Sequence, residues 1–92
     1  MEKVFCERLK ELRIENNLSQ KDLAKRIDVS DGTICFWENG TNEPKLSYIK
    51  KLAIFFDVTT DYLIGLENEN GSRTTNEEIE YHQSFKVKRS RN

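Results

Sequence analysis

The chain has 92 residues, room for one small domain that buries only roughly 60–65% of its unfolded surface. One proline and four glycines are too few turn-formers for a many-stranded sandwich, and 34% charged residues suit a helical domain with a wet surface. A formal net charge of −1 gives no bulk attraction to polyanions, and with no membrane-length apolar run and no N-terminal apolar h-region, neither a membrane span nor a signal peptide is expected.

Phe5, Leu9 and Leu12, with Val4 nearby, recur at helical spacing and predict a first helix from about Glu2 to Asn16, broken by Asn16-Asn17. Ser19 followed by Asp22 is a capping-box variant, and Leu23, Ala24 and Ile27 form the buried stripe of a second helix. Asp28-Val29 connects it to a third helix, capped by Ser30, which carries Ile34 and Trp37 inward and stops at Asn39-Gly40. Two helices joined so closely must cross steeply, and Ala24 is the small side chain that lets their axes approach. Asp28 stands where glycine is usual, tolerable because aspartate visits left-handed backbone more readily than most residues. A polar loop holding Pro44 follows, and Leu46, Ile49, Leu52, Ala53 and Phe56 define a fourth helix. Thr59 or Thr60 caps a last short helix over Asp61–Ile64, ended by Gly65. The fold class is therefore all-α, with a helix-turn-helix at helices two and three. Residues 1–66 form the domain, and 67–92 read as a polar, flexible tail.

Leu18-Ser19-Gln20, Leu23-Ala24, Val29-Ser30, Thr33-Ile34, Trp37-Glu38-Asn39-Gly40, Pro44 and Thr59–Gly65 agree in order and spacing across all five helices. On these residues the chain resembles the lambda-repressor-like helix-turn-helix domains of the XRE or Cro/repressor family of transcriptional regulators. The resemblance implies a compact five-helix fold and a homodimer that inserts helix three into the major groove of an imperfectly palindromic operator, first of all as a repressor. It implies DNA contact by Gln20, by Asp31, Gly32, Thr33 and Phe36 on the outward face of helix three, and by Asn39, Thr41, Asn42 and Lys45 in the loop that follows. It also implies an Arg13–Glu38 ion pair tying helix one to helix three. Pairing of subunits is expected through Phe55, Val58, Tyr62, Ile64 and Leu66. The recognition face departs from the usual pattern, since Asp31, Gly32, Cys35 and Phe36 stand where cationic or amide side chains are common. Asp31 can accept from cytosine N4, Phe36 can press a thymine methyl, and Gly32 offers only backbone.

No nucleophile–base pair or phosphate-cradling glycine loop points to an enzyme, and no metal or cofactor is expected. Cys6 and Cys35 lack metal-ligand spacing and make no disulfide framework, which suits a reducing cytoplasm. His82, the one histidine, falls in the tail. There the acidic stretch 67–80 precedes the basic Lys86, Lys88, Arg89 and Arg91, while Ile79, Tyr81 and Phe85 allow a marginal amphipathic turn. This tail supports a second reading, an antitoxin-like interaction protein that binds and neutralises a protein partner.

Overall fold

The computed structural model describes residues 3–73. They form α1 (Lys3–Glu15), α2 (Gln20–Ile27), α3 (Asp31–Asn39), α4 (Leu46–Phe56) and α5 (Thr60–Ile64), the all-α order that the apolar spacing predicts.

Local chemistry sets the helix ends. Ser19 and Asp22 make a reciprocal capping box at α2: the Asp22 N–H donates to Ser19 Oγ at 3.0 Å, and the Ser19 N–H donates to Asp22 Oδ2 at 3.2 Å. The Ser19 amide holds the Asp22 carboxyl below the usual carboxylate range. Asp28 closes α2 in the left-handed region at φ 67°, so Val29 can donate back to the Ala24 carbonyl at 2.9 Å. Gly40 ends α3 at φ 81°. Of the two threonines, Thr59 is the cap of α5, accepting from the Tyr62 N–H at 2.9 Å. Ser30 occupies the N-cap position of α3 but makes no side-chain cap, because its hydroxyl is shared with Thr33 Oγ1 at 2.8 Å.

The core joins Phe5, Leu9 and Leu12 of α1 to Leu23, Ala24 and Ile27 of α2, Ile34 and Trp37 of α3, Leu52, Ala53 and Phe56 of α4, and Leu63 of α5. On α4 the expected stripe is corrected at its start. Leu46 is 78% exposed, and Ile49 is half-buried. Leu46 shares a helix face with the buried Ala53 seven residues on, so the first turn faces the right way but projects past the end of the core. Ile54, on another face of α4, is 72% exposed.

The chain stays on the domain beyond Leu66. Arg8 Nη1 of α1 donates to the carbonyls of Tyr62 and Glu67, Thr59 Oγ1 donates to Glu67 Oε1 at 2.6 Å, and Glu67 pairs with Arg73 in an isolated antiparallel bridge. The segment expected to be tail thus opens with a turn tied to α1 and α5. The amphipathic turn suggested at Ile79, Tyr81 and Phe85, His82 and the basic end lie outside the described residues.

Candidate nucleic-acid interface

The α2–α3 corner is built around Ala24, which is fully buried together with Leu23 and Ile34. Trp37 is 4% exposed and packs on Tyr48 of α4 with ring centroids 5.6 Å apart, which fixes the inward side of α3. With Ile34 and Trp37 turned inward, the helix period carries Asp31, Gly32, Thr33, Phe36 and Asn39 outward. Asp31, Gly32, Phe36 and Asn39 are exposed and Thr33 is half-buried.

A polar network braces this corner from behind. Arg13 donates to Glu38 through Nε to Oε2 at 2.6 Å and Nη2 to Oε1 at 3.1 Å, with side chains only 11% and 5% exposed. Arg13 Nη1 donates to the Leu18 carbonyl at 2.8 Å, and Gln20 Nε2 donates to Glu38 Oε1 at 3.1 Å. The hydrogen bond to Glu38 raises the Arg13 pKa above its ordinary value. The expected ion pair is therefore formed, and Gln20 belongs to the same network: its amide nitrogen is committed to Glu38.

The loop after α3 is polar and exposed at Thr41, Asn42 and Lys45. Asn39 Oδ1 accepts from the Thr41 N–H at 2.9 Å and from the Thr41 hydroxyl, so these two residues stand together. Beside them a cleft of about 480 Å³ is lined by Lys3, Cys6, Glu7 and Lys10 of α1 and by Glu38, Asn39 and Gly40. Burial pushes the Cys6 thiol pKa up, which suits an inert wall rather than a reactive group. The sequence alone does not single out Lys3 and Lys10. Their signal was the i, i+7 recurrence of lysine on one flank of α1, but only the fold brings that flank beside the end of α3.

Phe55, Val58, Tyr62, Ile64 and Leu66, the residues expected to pair subunits, are all half-buried within one chain. Arg26 lies 5.6 Å from the Phe55 ring centroid and Arg8 lies 4.1 Å from that of Tyr62, so cations already border this surface. Ile54, exposed and adjacent to Phe55 in the chain, belongs to neither the core nor the expected interface. Among the described residues, no three His, Cys, Asp or Glu side chains cluster to hold a metal, and no helix is long and apolar enough to cross a membrane.

A family model described as helix-turn-helix matches residues 9–63, which include all of α2, α3 and α4. This chain belongs to the helix-turn-helix family. The domain is 34% identical over 67 residues to the cryptic phage CTXphi transcriptional repressor RstR of Vibrio cholerae, covering 73% of this chain and 60% of that protein. It is 40% identical over 63 residues to the HTH-type transcriptional activator BcrR of Enterococcus faecalis, covering 68% of this chain and 31% of that one. The chain thus spans less than two thirds of either relative. In structure it resembles the SOS-response transcriptional repressor LexA from Eubacterium rectale, with a TM-score of 0.66 at 28% identity over 78% of this chain and 74% of that one. A hypothetical transcription factor from Neisseria shares the fold with a TM-score of 0.63 at 22% identity, over 67% of this chain and 71% of that one.

Proposed function

We propose that this chain is a sequence-specific DNA-binding regulator of transcription, a repressor, acting in the cytoplasm as a homodimer that lays α3 in the major groove of an imperfect palindrome. The observation that carries the reading is the α3 outer face, exposed at Asp31, Gly32 and Phe36 and backed by the largely covered Arg13–Glu38 pair, within a matched helix-turn-helix. Relatives named as repressors and as an activator support regulation as the role.

In this reading Asp31, Gly32, Thr33 and Phe36 face base edges. Gln20, Asn39, Thr41, Asn42 and Lys45 meet the phosphate backbone, with Lys3 and Lys10 as neighbouring cations. Residues 1–66 form the binding domain and 67–92 its tail, whose first turn over 67–73 is tied to the domain. The antitoxin-like alternative rests on that tail, and no observation among the described residues favours it.

Selection from a random duplex library at two salt concentrations tests the proposal. Paired half-sites about 10–10.5 base pairs apart should emerge. Gln20→Ala should weaken binding to all selected duplexes alike, whereas Asp31→Ala should change the preferred base. Lys10→Ala should flatten the salt dependence by about 0.9 in log–log slope, as for one lost phosphate contact. Failure to retain any duplex at low salt would overturn the reading.

A further inference from the structure

α3 carries no lysine or arginine between Asp31 and Asn39. Two of its polar groups are engaged within the chain, Thr33 with Ser30 and Asn39 with Thr41. The largest outward side chain is instead Phe36, 45% exposed, in a domain whose other α3 aromatic, Trp37, is buried. A helical side chain leans back over the turn before it, and the Phe36 ring reaches Gly32 in this way: a Cβ at Gly32 would stand 3.8 Å from Phe36 Cε2. Gly32 sets no side chain beside the ring, so this turn shows bare backbone and a phenyl group to solvent.

A phenyl group has little to gain in a major groove, whose floor is mostly hydrogen-bond donors and acceptors that are costly to desolvate. The exception is the 5-methyl group of thymine. We infer that Phe36, with the bare backbone of Gly32 allowing close approach, is a specificity-determining contact that reads a thymine methyl. This inference rests on the DNA-binding reading above, and it assigns to apolar contact a discrimination that α3 cannot draw from cationic side chains.

The test uses the full chain and one selected duplex pool, amplified in parallel with dTTP or with dUTP. The dUTP product lacks every thymine methyl but keeps each base pair's hydrogen-bonding groups. Wild-type protein should bind the dTTP pool about fourfold more tightly for each methyl buried. Phe36→Ala should bind the two pools alike while keeping the wild-type helical signal, as its exposure allows. Gly32→Leu, which sets a side chain beside the ring, should also lose the preference. Equal wild-type binding to both pools would overturn methyl readout and leave DNA binding standing. A Phe36→Ala variant that keeps the wild-type preference would remove Phe36 from the assignment. Binding to neither pool at low salt would remove the DNA-binding reading itself.

Discussion

Arg13 engages both ends of its guanidinium, with Nε and Nη2 on Glu38 and Nη1 on the Leu18 carbonyl. Glu38 in turn accepts from Gln20 as well as from Arg13. The network therefore joins α1, the start of α2 and the end of α3, and it sits directly behind the outward face. Removing one member of a buried pair leaves the other charge without its partner, at a cost of about 3–5 kcal/mol. Arg13→Met should lower stability by about 3 kcal/mol, at the low end because Gln20 still donates to Glu38. Adding Glu38→Leu should recover part of that loss, since apolar groups of similar size then replace both charges. Thermal or urea unfolding of the two single variants and the double variant measures this. Additive losses would show that the residues do not act as a pair. The Gln20 amide nitrogen is held by Glu38, so in the proposed complex its carbonyl oxygen and the α2 backbone are the groups that would face a phosphate.

At the scale of the element, caps and left-handed residues decide where each helix stops. Gly65 is the sharpest case. Its φ of +91° disfavours any L side chain, and an added Cβ would meet Val4 Cγ1 at 3.4 Å. The end of α5 thus closes directly on α1, and Arg8 reinforces the same junction through the Tyr62 and Glu67 carbonyls. Gly65→Ala should cost about 1–2 kcal/mol from the backbone alone, and the melting temperature should fall by roughly 4–8 °C per kcal/mol. A variant melting with the wild type would show that this junction relaxes without cost. Gly32 is the opposite case. It is exposed, has ordinary space around a Cβ and no positive φ, so the backbone does not require glycine there. Glycine at 32 therefore matters only for approach by a partner, whereas at 65 it is the conformation that calls for it.

For the whole molecule, the proposed dimer is the level at which regulation would act. Phe55, Val58, Tyr62, Ile64 and Leu66 are each partly covered within one chain, while Ile54 beside them is 72% exposed. Ile54 is thus the side chain with most apolar surface left to bury in that interface. Ile54→Glu should leave the melting temperature of the isolated chain nearly unchanged, because an exposed site is lost from no core. The same change should prevent pairing and weaken binding to a two-half-site duplex far more than to a single half-site. Sedimentation velocity and half-site titrations measure both effects, and a variant that still pairs would move the interface elsewhere.

Much of this protein is legible in its sequence because the deciding interactions are local. Helix periodicity, the Ser19–Asp22 box, the left-handed Asp28 and the glycines after α3 and α5 act within a few residues, so pattern alone places all five helices and the α2–α3 corner. Arg13 and Glu38 stand 25 positions apart, and family resemblance joins them where neither charge pattern nor spacing does. What depends on how far one helix overlaps another escaped the pattern. Leu46 has the right helical phase, yet it projects past the core. Residues 67–73 have tail-like composition, but Arg8 and Thr59 hold Glu67 on the domain. Lys3 and Lys10 reach the edge of the candidate interface only because α1 packs against α3. Spacing along the chain records rotation about a helix axis, whereas axial offset and docking between helices arise only when the core closes.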